Sequence, residues 1–494
     1  MINFVQMRLE ILDAIKHAAE SLHEILSATV AGSFSSGSGQ DGFSDIDTIL
    51  VVDKLDAALF IKIQDVFQRN LAPVVSKNDW VLKINNTLGP LKSNDAKTVV
   101  LHLMIYDTDG HRQHVIKSPF TCLNWQRSTL SIKNSLQCIY PVFGLQPRHF
   151  FGARRSAKDY LSDLSAGIIS YREIVFDPEY REEKRSKAMD VRDRHEFSYH
   201  IMKFLMQNFL KLVQRSNSPK DGDVLLASYS SVFPAGMETF ATLYRSLERM
   251  KKNRDFSQPI PDLLEKISAF ATAFEDQFRE EFEKRAERQV WIRHAPTALN
   301  KGQGGAAIFQ GRSDVEPLPI NSEKIKHLAG HLRVAGIQHI ASSPLIRALQ
   351  TAQSLSKELS PGLEIREDIN LLEMNYGLCE SMTATEALQK HPYLKEAWAQ
   401  GKDPRFPEGE NSADVRARME EFLSKNMTSM AVVTHNVVLR ELVGKLMGVP
   451  AEKRFQLKID HLAPIDVLVS PRFGYFLNLT EESEGQCFKG FFKK

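Results

Sequence analysis

Five residues in the last third of the chain are of the types that bind and process phosphate, and each basic one lies at the end of a predicted strand or the start of the following helix. Arg293 and His294 come after Val290-Trp291-Ile292, and Arg347 comes shortly after Ser342-Ser343-Pro344. Glu373 follows Leu371-Leu372, and His435 follows Val432-Val433-Thr434. In an open parallel sheet the carboxyl ends of the strands converge on one crevice. Two arginines and two histidines meeting there make a pocket for a dianionic phosphate, because guanidinium groups grip phosphoryl oxygens bidentately.

A second constellation lies near the N-terminus, in VAGSFSSGSGQDGFSDIDTILVV. Gly37-Ser38-Gly39-Gln40-Asp41-Gly42 spells G-x-G-x-x-G, but a dinucleotide site needs that motif to open a helix directly after a strand. Asp45-Ile46-Asp47 and a strand-like run follow instead, so the dinucleotide reading is rejected. What remains is Gly32-Ser33, eleven intervening residues, and Asp45-Ile46-Asp47 at the head of an apolar run. Strand alternation puts Asp45 and Asp47 on one side with Ile46 turned into the core. Two carboxylates so placed repel unless a divalent cation sits between them, as Mg²⁺ does against nucleotide phosphates. Gly32 permits close backbone approach, and Ser33 can hydrogen-bond a terminal phosphate.

Together with Gln310-Gly311-Arg312-Ser313-Asp314 and LLEMNYGLCES (371–381), the C-terminal residues resemble the histidine phosphatase (phosphoglycerate mutase-like) superfamily over about 289–470. The resemblance implies a three-layer α/β/α fold in which His294 is the nucleophile that becomes phosphohistidine. Arg293, Arg347 and His435 would hold the phosphoryl oxygens, and Glu373 would protonate the leaving oxygen and then deprotonate water. Asn300 and Arg312 would grip substrate or phosphate, and no metal or other cofactor is implied. Ala295 and Asn436 stand where glycines are usual, and neither change removes a chemical group. The 371–381 segment resembles phosphatase rather than mutase members, and the zone's lack of a large helical insertion suits a small substrate.

Over roughly 20–110 the chain resembles the DNA polymerase β-like nucleotidyltransferase superfamily, through Gly32-Ser33 and Asp45-Ile46-Asp47. That implies attack by an acceptor oxygen on the α-phosphate of an NTP, with Mg²⁺ held by Asp45 and Asp47 and the nucleotide met by Gly32 and Ser33. One departure stands out: His102, in Val100-Leu101-His102-Leu103-Met104, occupies the place of the family's third carboxylate. A neutral imidazole there can act as base or metal ligand. Asp107 or Asp109 could substitute for it, the domain could bind nucleotide without turnover, or His102 could simply be packed.

The elements that must position these residues fall into three zones. Residues 1–150 mix a first helix with the strand-like runs 47–53 and 97–106, and are expected to form the nucleotidyltransferase domain. Residues 151–286 read as helical throughout, including YLSDLSAGIISYREIV, with REEKRSKAMDVRDRHE as a solvated helix face or loop. Residues 287–494 alternate strand and helix patterns, as a largely parallel α/β layer requires. The fold class expected is therefore α/β and α+β multidomain. His111, His114, His195 and His200 read as surface histidines, and Phe204, Phe209 and Phe240 as core.

Composition bounds the rest. At 494 residues the chain has room for two or three domains, and 43% hydrophobic with 25% charged residues is an ordinary globular balance. Lys+Arg 63 against Asp+Glu 61 leaves +2, which disfavours a bulk grip on nucleic acid or membrane. Four scattered cysteines suit a reducing compartment, and no apolar run is long enough for a signal peptide or a membrane span, so a cytoplasmic location is expected. The combined expectation is a bifunctional enzyme: Mg²⁺-dependent NMP transfer from an NTP to a small, phosphorylated molecule, plus phosphomonoester hydrolysis. The rivals are an NTP-binding module that regulates a histidine phosphatase, and a transferase acting on RNA ends.

Overall fold

Strand formation early in the chain follows its β-branched and aliphatic runs. In order these are β1 (Ile25–Ala31), β2 (Ile46–Val52), β3 (Val81–Asn85), β4 (Thr87–Leu88), β5 (Thr98–Asp107) and β6 (Leu130–Ser131). All but β4 join one sheet in the order β3-β5-β2-β1-β6. β2 runs parallel to β5 with Asp47 opposite His102, and antiparallel to β1 with Asp47 opposite Ala31. Alternation then sorts the side chains. Ile46, Leu50 and Val52 enter a core with Phe60, Ile63 and Phe67 of the helix Ala57–Ser76. On the other face, Ile49 and Val51 pack with Met104 and Trp125.

The computed structural model describes residues 4–35, 45–85, 87–88, 97–176, 180–214, 222–233, 237–301, 308–360 and 363–491. Two units emerge, one of Met1–Leu145 and His149–Asp276, the other of Gln146–Arg148 and Gln277–Lys494. Among the described residues no helix is long and apolar enough to cross a membrane.

The zone read as wholly helical contains a hairpin. The helix Pro147–Ala166 stops at Gly167, whose φ of +69° is left-handed, and β7 (Ile168–Phe176) and β8 (Tyr180–Ala188) follow as an antiparallel pair. β4 joins them through Thr87 opposite Glu173. Ile168, Ile169, Ile174 and Val175 favour strand, and the charges expected on a helix face instead meet across the hairpin. Arg172 lies 2.6 Å from Glu182, and Arg185 3.4 Å from Glu173. These exposed pairs fix register more than they add stability. Beyond the hairpin the helix Val191–Gln214 buries Phe209 against Phe233, 4.5 Å between ring centroids.

In the second unit β9 (Glu287–Arg293), β10 (Ile340–Ser342), β11 (Ile365–Glu367), β12 (Met430–Thr434), β13 (Pro464–Ser470) and β14 (Gly474–Leu477) form one sheet, ordered β11-β10-β12-β9-β13-β14. The first four in that order are parallel, and β13 and β14 are antiparallel additions at one edge. Val290 and Ile292 bury against Ile325, Leu328, Ala352 and Leu355 of the helices Ser322–Val334 and Ile346–Leu359. Trp291, pointing the opposite way, meets Phe422 of the helix Ser412–Lys425. Helices therefore cover both faces, as a parallel sheet demands. The short segment Gln146–Arg148 belongs to this unit: Gln146 accepts from Leu479 N–H at 2.7 Å and donates to Glu484 at 2.7 Å, and Arg148 pairs with Glu484.

Candidate active site

Parallel register sets three strand ends of the second unit level, with Thr434 opposite Arg293 and Ser342 opposite Val433. β9 runs out into His294 and β12 into His435, while the first turn of the helix Ile346–Leu359, which follows β10, carries Arg347. His294 N–H donates to Thr434 O at 3.0 Å, and the next amide, Ala295 N–H, donates to the Thr351 hydroxyl at 2.9 Å.

The His294 and His435 rings lie 5.0 Å apart. His294 Nδ1 is 2.7 Å from the Ala295 carbonyl, which only accepts, so the proton sits on Nδ1 and the lone pair on Nε2. Burial, reinforced by Arg347, holds the His294 pKa well below the ordinary imidazole value, and the ring is neutral. Burial and the same arginine do likewise for His435. His435 Nε2 meets Ser343 Oγ at 2.8 Å, and its buried Nδ1 has no partner among the described residues. Arg347 is 1% exposed and donates to Ser313 O at 2.8 Å and Gly311 O at 2.7 Å. Arg293 donates to Ile459 O at 2.7 Å, and burial lowers its pKa to about 10. The Nε atoms of both arginines are buried without a partner among the described residues. Such unmet donors call for an acceptor, and a phosphoryl group supplies several oxygens at once.

Glu373 lies beside them at 5% exposure, within electrostatic reach of Arg347 and Arg293. Burial raises its pKa against the pull of Met374 N–H and both arginines. Its Oε1 accepts from Met374 N–H at 2.9 Å and from Val437 N–H at 3.2 Å. Arg312 sits behind Glu373, donating Nε to the Glu373 carbonyl at 2.9 Å and facing Glu410 at 3.3 Å. Asn300 accepts from Thr297 N–H at 2.8 Å and bonds Gln310 at 3.3 Å, which shapes the turn after His294.

Sequence reasoning missed three neighbours. Arg440 lies one helical turn beyond Asn436 and acts on Arg293, Tyr376 and Glu373. Its place four residues after Asn436 on the same helix was a usable signal. Tyr376 shares the pocket's electrostatics, where burial raises its pKa. His461 stands edge-on to His294, 5.2 Å between centroids, and no motif around Asp460-His461 announces it.

The N-terminal constellation converges only in part. Gly32 has φ +75°, and a Cβ there would lie 2.5 Å from Asp47 Oδ2, so the carboxylate requires glycine at that point. Asp47 Oδ1 faces His102 Nδ1 at 3.3 Å, and His102 Nε2 is 2.6 Å from Thr87 O. Burial opposes charge on His102, yet the hydrogen bond and charge of Asp47, with help from Thr87 O and Asp45, raise its pKa. Thr87 O only accepts, so His102 donates from Nε2 and turns Nδ1 to Asp47. The Ser33 side chain and Gly37–Gly42 lie outside the described residues. Among the described residues no group of three His, Cys, Asp or Glu side chains is arranged to hold a metal.

Burial corrects three of the four expected surface histidines, while His200 is exposed as expected. His111 is fully buried with both ring nitrogens unpartnered among the described residues, and His114 stacks on Trp125 at 5.1 Å. His195, 3% exposed, is a satisfied core residue bonded to Val191 O and Ile260 N–H. Apolar residues from the sheet and following helices close over these positions, which local polarity in the sequence does not report.

Residues 290–478 match the model of the histidine phosphatase superfamily (branch 1). A curated relative from Yersinia enterocolitica, named probable phosphoglycerate mutase GpmB, is 31% identical over 189 residues, covering 36% of this chain and 85% of the relative. Its namesake from Serratia proteamaculans is 29% identical over 189 residues, with the same shares. Among solved structures, the protein titled mycobacterial hydrolase 1 aligns at 23% identity and a TM-score of 0.35, over 40% of this chain and all (100%) of its own.

Proposed function

We propose, for a chain that belongs to the histidine phosphatase superfamily through residues 290–478, that the second unit hydrolyses small phosphomonoesters by way of a phosphohistidine at His294. In the first step His294 Nε2 bonds to phosphorus as the ester P–O bond breaks, and Glu373 gives its proton to the departing oxygen. In the second step a water oxygen bonds to phosphorus, the P–Nε2 bond breaks, and Glu373 takes the water's proton. The unmet donors of Arg293, Arg347 and His435 would stabilise the charge that gathers on the phosphoryl oxygens in both steps.

The observation that carries this reading is the 2.7 Å bond from His294 Nδ1 to the Ala295 carbonyl, which leaves Nε2 as the free nucleophile. The raised Glu373 pKa supports its part, because burial favours the protonated carboxyl over the carboxylate. Two curated relatives carry the name phosphoglycerate mutase. Hydrolysis rather than phosphoryl return to a second hydroxyl is our reading, supported by the likeness of residues 371–381 to phosphatase members. The test is hydrolysis of para-nitrophenyl phosphate in EDTA. Activity should persist in the chelator and vanish in His294→Ala, and activity surviving in that variant removes His294 as nucleophile.

For the first unit the geometry favours nucleotide binding without turnover over NMP transfer. The pairing of His102 with both Asp47 and Thr87 O supports that choice, since it takes the third ligand away from any Mg²⁺ brought by Asp45 and Asp47. Incubation with each NTP and Mg²⁺ separates the readings: binding by calorimetry without pyrophosphate release supports ours, and release abolished by Asp45→Ala restores the transferase.

A further inference from the structure

The loop after Gln456 takes no part in the phosphoryl chemistry above, yet three of its groups bond to the Arg293–His294 dipeptide. Arg293 donates to Ile459 O at 2.7 Å, Leu462 N–H donates to Arg293 O at 3.0 Å, and His461 Nδ1 lies 2.6 Å from the His294 carbonyl. A carbonyl only accepts, so His461 is the donor. Leu462 holds φ +59°, a left-handed conformation that a branched side chain keeps only where surrounding bonds impose it. The loop is anchored from its far side by the helix Glu481–Phe488. Lys458 N–H donates to Cys487 O at 2.9 Å, and Gln486 donates to Asp460 at 2.9 Å.

The His461 bond falls on a peptide plane that is also held from its other side. The amide joining His294 to Ala295 has its N–H on the Thr351 hydroxyl and its carbonyl on His461. That plane leads directly to the Ala295 carbonyl that holds His294 Nδ1. Rotation of the plane would swing that carbonyl and turn the imidazole with it. We infer that His461 is a positioning residue: by gripping the carbonyl of the 294–295 peptide opposite Thr351, it fixes the plane from which His294 is aimed at phosphorus. Its role is distinct from those of His294 and His435, since it touches the nucleophile's backbone. Burial, reinforced by Arg293, takes the His461 pKa down to about 4, so the residue is neutral at pH 7 and replacing it with a neutral amide removes no charge.

The inference rests on the phosphohistidine reading, and the experiment keeps the two apart. In the full chain, His461→Asn places its amide nitrogen where Nδ1 stood and keeps the donor, whereas His461→Phe keeps the ring and loses it. His461→Leu reads the same contrast if the phenylalanine is not accommodated. Misaiming a nucleophile by about 1 Å costs on the order of a hundredfold. With para-nitrophenyl phosphate, kcat in His461→Phe should fall at least about tenfold with KM within about twofold, and rapid-quench phosphoenzyme formation should slow in parallel. His461→Asn should stay within about threefold of the parent. The inference is overturned if His461→Phe keeps the parent kcat, if KM rises while kcat holds, or if His461→Asn falls as far as His461→Phe. Activity surviving in His294→Ala would instead defeat the underlying reading.

Discussion

Replacing Glu373 by glutamine separates what this side chain does for catalysis from what it does for the fold. Both of its backbone donors, Met374 N–H at 2.9 Å and Val437 N–H at 3.2 Å, point at Oε1. A glutamine can turn its carbonyl oxygen to that position and keep both bonds, giving up only the long 3.4 Å contact of Oε2 to Val437 N–H. The structural cost is therefore below about 1 kcal/mol. The chemical cost is larger: a general acid contributes about 10²–10⁴-fold, or roughly 3–5 kcal/mol of barrier. That loss depends on the leaving group, because nitrophenolate departs without a proton and an alkoxide does not. Steady-state kinetics should show kcat/KM falling by about a thousandfold for an alkyl phosphate and by about tenfold or less for the nitrophenyl ester. Stability moves oppositely. Because burial raises the folded pKa, the native state binds the Glu373 proton more tightly than the unfolded chain, and this contribution is lost as pH rises through the folded value. Melting of the variant relative to the parent should thus improve from pH 4 to pH 8. Equal kinetic losses on both esters, or a variant whose stability relative to the parent falls from pH 4 to pH 8, would refute the assignment of Glu373 as buried acid.

Other perturbations follow from the same geometry. Arg347→Met leaves the Gly311 and Ser313 carbonyls without their donor, so urea unfolding should show a loss of about 2–5 kcal/mol alongside an activity loss of at least about a hundredfold. Gly32→Ala adds a Cβ 2.5 Å from Asp47 Oδ2 at a left-handed φ, and should speed amide exchange in β1 and β2. Making the same change in an Asp47→Ala background should cost measurably less. His111→Phe removes two buried ring nitrogens without partners among the described residues and should stabilise the chain. Burial, then the charge of His114, depresses the His111 pKa to about 4, so stability is lost as pH falls below the unfolded value towards that figure. Its share is at most roughly 3 kcal/mol, and the acid sensitivity of thermal melts between pH 7 and 5 should shrink in the variant.

The clustering of the five phosphate-pocket residues was legible because Arg293, His294 and His435 adjoin strands that short-range apolar patterning marks, and Arg347 opens the helix after β10. Arg293, His294, Arg347, Glu373 and His435 come together because the strand ends are level, which alternating β and α elements already imply. His461 was not legible, since its place depends on a left-handed Leu462 and on a helix beginning at Glu481. The hairpin of β7 and β8 was hidden for a different reason. Its charges pair across strands, and the Ile-rich strand follows a helix so closely that only the turn at Gly167 divides them. His102 shows the same limit at a site: its identity was plain, but its raised pKa follows chiefly from Asp47 on the neighbouring strand, with help from Thr87 O.

The three residues Gln146–Arg148 give the second unit a history that its matched span conceals. Leu479 is 1% exposed, its N–H rests on Gln146, and the family match stops one residue earlier, at 478. A fragment beginning at Gln277 would bury that N–H without an acceptor, at a cost of about 1–3 kcal/mol, and would take the bonds of Gln146 and Arg148 from Glu484 in the helix that anchors the His461 loop. The phosphatase portion is therefore not a cassette that one cut releases or one insertion transplants. Recombination that moved residues 277–494 alone would carry the catalytic groups and leave behind a piece of the hydrogen bonding beneath them.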